Sequence, residues 1–419
     1  MKSKITILIV VISFILTSCK TSQKASIGHI NYYSDSLTIA LNNFAKKSLI
    51  PGFSVSIVTD KNILYSKGFG MSDNRNNIAF SPLTINWVAS ISKTFVALSI
   101  MKLVEENNLS LDDPINSILP YKITNPHYPN IPITVRHLIT HTSTIIDDAF
   151  VPYYIGEADI CIVNDSKQYD SLPAYLLPNL EYYRMGKRIS LDENIRKYTQ
   201  PKEKWYIDST FLHKKPGTFF QYSNLGASIA ARIVEIKSNM SFTDFTRKYI
   251  FEPLKMNNTG WNFEDLNPQL ITRIYAQNDE QKPTGVVEHP QYYMTNYPVS
   301  GLKTNALDLS NYLIEMIKGH EGKGKLLSNH SYQTLFKPQL DCEGLNKSDS
   351  SAFNGMFNIS IFWSVSATGN IFHFGGNTGV YSFLYFNPKT KKGALAYCNL
   401  RDNSFGELLT IVKYFEEKM

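Results

Sequence analysis

Residues 88–95 read VASISKTF, and the roles of Ser90 and Lys93, three apart, decide most of what the rest of the chain means. A serine hydroxyl is a poor nucleophile until a base takes its proton, and a lysine serves as that base only when burial or nearby positive charge lowers its pKa. Ser-x-x-Lys also occurs at Ser99/Lys102 and Ser300/Lys303, so the spacing alone settles nothing. The first copy differs in its setting. Trp87-Val88-Ala89 leads into it and an apolar run from Phe95 to Leu103 follows, which predicts a helix with Ser90 at its N-terminus. There, free N–H groups and the helix dipole favour a developing negative charge, and Lys93 lies one turn on, facing the same way. A capping serine beside a solvent-facing lysine is the competing reading.

The flanking sequence reads as alternation at both ends and helices between. Leu37, Ile39, Ala40, Leu41, Phe44 and Ala45 recur at helical spacing over 34–48, and Pro51-Gly52 ends that segment. FSVSIV (53–58) and NILYSKGFG (62–70), separated by TDKN, predict a hairpin. Near the C-terminus, FNISIFWSV (357–365), NIFHFG (370–375), VYSFLYF (380–386) and GALAYCNL (393–400) predict successive antiparallel strands, and GELLTIVKYFEEKM a closing helix. Helical patterns fill 92–106, 134–141, 224–237, 242–250 and 306–318. The expected fold class is α/β (α+β): one sheet built from about 50–75 and 355–402, with a largely helical region (about 92–320) inserted between.

The chain has 419 residues, is 43% hydrophobic and 13% aromatic, and carries a formal charge of +6. It can bury a large core, and the mild, dispersed charge argues against nucleic acid as a partner. MKSK followed by the apolar run ITILIVVISFIL is too short to span a bilayer and suits a signal peptide. Leu16-Thr17-Ser18-Cys19 resembles a bacterial lipobox, which implies a signal peptide over 1–18 and lipidation of Cys19. It also implies a tether over 19–33, a folded region over 34–419, and attachment to an envelope membrane facing the periplasm or exterior. Cys161, Cys342 and Cys398 are widely separated, and no disulfide is expected. His137 and His141 stand four apart in HLITH, but Leu138 occupies the place of the glutamate that a metalloprotease helix needs; both histidines read as structural, and no metal is expected.

Tyr-x-Asn occurs at Tyr128, Tyr222, Tyr385 and Tyr397. One copy has proline in the middle and two fall in or at the end of predicted strands. The copy at Tyr222 and Asn224 stands just ahead of a helix, in KKPGTFFQYSNLGASIAARIVE, after the turn at Pro216-Gly217. VASISKTF, PGTFFQYSNLGASIAARIVE and the late HFGGNTG together resemble the three active-site elements of the serine beta-lactamase and penicillin-binding-protein superfamily, in its class C beta-lactamase-like branch. ITVRHLITHTS (133–143), YIFEPLKMNNTGW (249–261) and SGLKTNALDLSNYL (300–313) resemble supporting stretches, and the likeness runs from about residue 35 to the C-terminus. It implies a beta-lactamase/transpeptidase-like fold. It also implies that Ser90 is the acylated nucleophile, Lys93 its base or base partner, Tyr222 the proton shuttle, and Asn224 a ligand for the substrate's amide or carbonyl. His373, Gly375 and Gly376 would lie on the strand flanking the substrate, with the Gly376 and Ser90 amides forming the oxyanion hole. A flanking cation, expected to be Lys93, would let Tyr222 ionise or transfer protons more readily.

Several features depart from that pattern. Phe374 stands where relatives that act on beta-lactams or D,D-peptides carry a hydroxyl that holds the substrate carboxylate, and His373 replaces a lysine. Thr144 occupies a position where relatives often have glycine. The stretch 145–215 is an insertion rich in tyrosine; lacking periodicity, it reads as a packed surface subdomain in preference to an aromatic wall facing the substrate. GHEGKGKL (319–326) has the frame of a phosphate loop but ends in Leu326 without the needed hydroxyl, and reads as a surface loop. No Gly-x-Ser-x-Gly elbow occurs.

The expectation is therefore an enzyme, a lipid-anchored serine hydrolase acting on an amide or ester of a small-molecule or peptide substrate, without a cofactor. The alternative is an acylation-only or non-catalytic penicillin-binding or sensor lipoprotein. The oligomeric state is left open, with a monomer slightly favoured.

Overall fold

The computed structural model describes residues 32–147, 159–279, 285–340 and 357–419. The expected signal peptide, Cys19, most of the tether, part of the insertion and Cys342 lie outside them. Residues 32–47 form helix α1. Strands β1 (Gly52–Thr59) and β2 (Ile63–Asp73) make the first hairpin, and β3 (Ile78–Ala79) pairs on β2. The helical region includes α2 (Ser92–Glu105), α3 (Asn224–Ser238) and α4 (Ala306–His320). The chain returns to the sheet as β4 (Phe357–Ile359), β5 (Ser364–Ser366), β6 (Ile371–Asn377), β7 (Val380–Asn387) and β8 (Lys392–Cys398), and ends in α5 (Phe405–Lys418).

These strands form one antiparallel sheet of order β4-β5-β6-β7-β8-β1-β2-β3, so the two ends of the chain meet where β8 pairs with β1. Side-chain alternation assigns its faces. Phe53, Val55 and Ile57 of β1, Phe383 and Tyr385 of β7, and Ala394, Ala396 and Cys398 of β8 pack with Leu37, Leu41, Leu408 and Val412 of the terminal helices. Leu384, Phe386, Leu395 and Tyr397 point the other way, into the core of the helical region. The polar positions of β1 are satisfied within the sheet: Ser56 Oγ donates to Ser66 Oγ at 2.8 Å. Helix α2 runs through the centre of the helical core, with every residue from Ser92 to Met101 buried. On it, Phe95 stacks on Tyr312 at 4.1 Å between ring centroids.

The expected helices and strands are present, with two differences. FNISIFWSV is two short strands rather than one. Ile361, Phe362 and Trp363 are all buried, which breaks the period of two, and Phe362 takes a left-handed backbone with φ +51°. The Ile361 and Phe362 amides donate to Leu335 and Ile139 carbonyls in the helical region. The segment predicted as a helix over 242–250 is α-helical over Phe242–Thr246 and widens to a π-turn over Arg247–Phe251 ahead of Pro253. Thr144 keeps the turn that glycine would allow, at φ +65°. Its hydroxyl donates to the Ser143 carbonyl at 2.5 Å and accepts from Asn125 Nδ2 at 2.9 Å, contacts that hold a β-branched residue in a costly region. The glycine-rich stretch 319–326 closes α4 at Gly319-His320 and then loops to the helix Asn329–Phe336, and the Glu315 carboxylate accepts the Leu326 amide at 2.9 Å.

Candidate active site

Ser90 sits in a 3-10 turn, Ala89–Ile91, that feeds directly into α2. Ala89 is fully buried with φ +45°, a conformation costing roughly 1 kcal/mol for a residue with a Cβ. Ser92 Oγ ties the turn down, donating to the Ala89 carbonyl at 2.6 Å and accepting the Leu302 amide at 3.1 Å. Lys93, fully buried, brings Nζ to 3.2 Å from Ser90 Oγ and donates to the Val299 carbonyl at 2.8 Å. Burial lowers its pKa to about 7, opposed by the charge of Asp147. The third Ser-x-x-Lys is different: Lys303 Nζ turns from Ser300 to the Trp261 and Gly301 carbonyls and lies 3.9 Å from the Trp87 ring centroid.

Tyr222 meets this pair from the segment before α3. Its ring centroid is 4.9 Å from Lys93 Nζ, and its hydroxyl is close enough to Ser90 for the serine to act on its pKa. The residue opens onto the cleft, 39% exposed, but its phenol end is enclosed. That burial pushes the pKa well above the ordinary tyrosine value; Ser90 opposes the rise and the charge of Asp147 adds to it. The expectation that a flanking cation would help Tyr222 ionise is thus corrected. Lys93 is too desolvated to be a firm cation, so at neutral pH the proton stays on the phenol.

His141 backs Tyr222, with ring centroids 4.4 Å apart. It is buried at φ +57°, and its Nδ1 accepts the Ser223 amide at 3.2 Å. Burial, then Lys93 and His373, hold its pKa well below the ordinary value, so the ring is a neutral support. His137 caps its own helix, its Nδ1 accepting the Thr134 amide at 3.2 Å. Asn224 opens α3, and Asp147 fixes it: Asn224 Nδ2 donates to Oδ2 at 2.9 Å, and its amide to Oδ1 at 2.8 Å.

Strand β6 forms the opposite wall. Its pairing with β5 stops at Ser364↔Phe372, so the edge from His373 to Asn377 is clear of β5. A Cβ on Gly375 would stand 2.3 Å from the Val88 carbonyl oxygen and 3.1 Å from the Ser90 nitrogen, which is how closely the strand presses on the nucleophile's turn. Asn377 pairs with Val380 across the two-residue turn Thr378-Gly379. Because antiparallel amides alternate between the partner strand and the outer side, that register turns the Gly376 amide to the clear edge. His373 Nδ1 lies 2.7 Å from the Phe374 carbonyl, and burial, then Lys93, lowers its pKa to about 3. His373 is therefore neutral and supplies no positive charge to the site.

Two cavities meet at Ser90 and Gly376. One, of about 890 Å³, is lined by Tyr222, His373 and the apolar side chains of Phe220, Phe357, Phe372, Phe374, Phe405 and Leu409. The other, of about 640 Å³, is lined by Asn224, Asp147, Asp159, Asn377 and three tyrosines of the insertion, Tyr182, Tyr183 and Tyr198. The described part of the insertion packs as expected, with Trp205, Tyr182, Tyr183 and Tyr198 all buried, and the three tyrosines also border the cavity that reaches Ser90. Asp147 and Asp159 carry no motif in the sequence that marks them as site residues. The adjacency of Asp147 to the HTST segment was the only local signal for either.

A serine at a helix start, a desolvated lysine and a tyrosine, set against the edge of an antiparallel sheet, define a beta-lactamase/transpeptidase-like serine hydrolase fold. The beta-lactamase family matches residues 40–411, and the chain belongs to it. It is 24% identical over 368 residues to the protein flp of Staphylococcus aureus strain MW2, covering 87% of this chain and 62% of that protein. The chain thus spans under two thirds of the length of that relative. Among solved structures it is similar to an octameric penicillin-binding protein homologue from Pyrococcus abyssi, with TM-score 0.66 and 26% identity over 87% of this chain and 73% of the other. It also shares its fold with EstCE1, a hydrolase with promiscuous acyltransferase activity, at TM-score 0.68 and 15% identity over 93% of this chain and 98% of the other.

Proposed function

We propose that the protein hydrolyses an ester or amide through an acyl-enzyme on Ser90, without a cofactor, and is held to a bacterial envelope membrane by lipid on Cys19. The observation that carries the reading is Lys93 Nζ at 3.2 Å from Ser90 Oγ with a pKa lowered to about 7. A neutral amine at that distance can take the serine proton as Oγ attacks the carbonyl carbon. The Ser90 and Gly376 amides then hold the tetrahedral oxyanion, each worth roughly 3 to 4 kcal/mol of barrier. Tyr222 gives its proton to the leaving group as the carbon–heteroatom bond breaks, and the Lys93 ammonium restores that proton to the phenol. Water repeats the sequence on the acyl-enzyme.

Tyr222 borders the apolar cavity, so the leaving group lies there. The acyl part then lies by Asn224, Gly376 and Asn377, in the polar cavity. Phe374, 49% exposed on the leaving-group side, offers no hydroxyl to a carboxylate. This supports ester or peptide cleavage over efficient beta-lactam hydrolysis.

The test is labelling with a fluorophosphonate together with turnover of p-nitrophenyl esters and nitrocefin. The wild type should be labelled, release p-nitrophenol continuously, and turn over nitrocefin far more slowly. Ser90→Ala should do none of these. Labelling that survives Ser90→Ala would sink the assignment, and a single burst without further release would show an acylation-only protein.

A further inference from the structure

The cavity that receives the leaving group is larger and more apolar than a small alcohol or ammonia requires. Small-molecule pockets enclose roughly 300 to 1,000 Å³, and this one, at about 890 Å³, stands near the top of that range. Polar side chains in its wall are engaged by the protein. Ser382 Oγ donates to the Val88 carbonyl at 2.8 Å, and the Tyr381 hydroxyl accepts Arg401 Nε at 3.2 Å. The Asp402 carboxylate accepts the Ser404 amide at 2.9 Å and Gln277 Nε2 at 2.5 Å. His141 and His373 are neutral. Past the catalytic groups, the wall therefore offers a ligand mostly hydrocarbon.

Strand β6 lays that surface out in a line. Alternation puts Gly376, Phe374 and Phe372 on one face of the strand. The Phe372 and Phe374 rings meet edge to face at 5.2 Å between centroids, and Phe357 meets Phe372 at 6.0 Å. Beyond this ring pair is a second cavity, of about 170 Å³. Phe372, Phe374 and Leu409 of α5 line both spaces, and the second also takes in Thr368, Asn370 and Lys413, polar groups that bound the apolar track. From Gly376 to Phe372 the strand advances about 13 Å, which an extended chain covers in roughly eleven bonds, at about 3.3 to 3.6 Å for every three.

We propose that the leaving group this site selects is a long, unbranched apolar chain, an alcohol or amine of about eight to ten carbons laid along β6 over Phe374 and Phe372. As the carbon–oxygen or carbon–nitrogen bond at the acyl carbon breaks, the heteroatom at the head of that chain takes the Tyr222 proton. Phe374, 49% exposed, is wetted in the empty site, and a chain laid over it removes apolar surface from water. The proposal rests on the acyl-enzyme reading above and on its placement of the leaving group.

The test compares n-alkyl acetates from ethyl to dodecyl with ethyl alkanoates of the same carbon counts, each below its solubility limit, on the full-length protein. Across the alkyl acetates kcat/KM should rise roughly two- to fourfold per methylene, at least about fiftyfold from ethyl to octyl, and level off near about eight to ten carbons. The ethyl alkanoates should show no such rise. Phe374→Ala should cut the octyl-to-ethyl ratio by about tenfold. A flat acetate series, a rise in the alkanoate series instead, or a ratio unmoved by Phe374→Ala would overturn the track and leave the acyl-enzyme standing. Absence of any hydrolysis together with absence of Ser90 labelling would overturn both. Should Phe374→Ala not fold, or should Ser90 be labelled without turnover, 1-octanol and 1-butanol compete with fluorophosphonate labelling of the unaltered protein. Octanol protecting Ser90 at less than about a tenth of the butanol concentration supports the track, and equal potency defeats it.

Discussion

Lys93 is the residue on which both chemistry and stability turn. Its active form as a base is the neutral amine, so kcat/KM should rise with pH through about 7 and level off above, the sign expected for a group that works deprotonated. A pH profile flat from 5.5 to 8.5 would remove Lys93 from that role. The same amine leaves a trace in folding. In the unfolded chain it returns to the ordinary lysine value of 10.5. Between about pH 7 and 10 the unfolded state therefore binds a proton that the native state does not, and stability from this group rises with pH across that window. In Lys93→Met the rise should shrink by this group's share, the share of Lys303, whose pKa burial also lowers to about 7, remaining, and about 10³-fold or more of kcat should be lost. Urea unfolding at pH 7 and 9.5 of both proteins reads the slope. The Ser90/Lys93 pair was legible because an apolar run on each side marks a buried helix start. That Tyr222 stays protonated was not, since it follows from how thoroughly other segments dry the lysine.

At the scale of elements, β6 and the turn before α2 act as one unit. Gly375 permits their contact, because any Cβ there would strike the Val88 carbonyl and Ser382 Oγ, each at 2.3 Å. Gly375→Ala should force β6 off the Ser90 turn, widen the pair of amides around the oxyanion, and lower kcat by roughly 10² to 10³-fold, on the scale of losing one donor. KM should change less. Ester kinetics beside a thermal melt would distinguish this from simple unfolding, and wild-type kcat in a folded variant would refute it. Strand positions were legible from alternation, which is local. The break at Ile361–Trp363 was not, because the carbonyls that draw those amides away come from Leu335 and Ile139, far along the chain. It matters to the site, for β5 begins only at Ser364, opposite Phe372, and leaves the His373–Asn377 edge clear for substrate.

Across the whole molecule, Asn399 joins parts of the chain hundreds of residues apart. Fully buried, it accepts the Gly52 amide at 2.8 Å and donates to the Met71 carbonyl and Thr272 Oγ1, each at 3.1 Å. It therefore fastens the meeting of the two chain ends to the helical region. Asn399→Ala takes this partner from the Gly52 amide and the Met71 carbonyl, while Thr272 Oγ1 keeps its bond to the Ser72 carbonyl at 2.9 Å, and costs about 1 to 3 kcal/mol for each group left without a partner or water. The urea midpoint should fall markedly, with the sheet and the helical region still unfolding together. A variant as stable as the wild type would show that water replaces the amide at this junction.

Sheet and helix periods, the apolar lead into Ser90, and the Tyr222–Asn224 step before α3 are written in neighbouring residues, because backbone geometry repeats every two or 3.6 positions whatever surrounds it. The cleft is not. Asp147, Asp159 and the tyrosines of the insertion border it only because segments distant in sequence close around Ser90. The same closure removes water from Lys93, and so makes an ordinary side chain into a base.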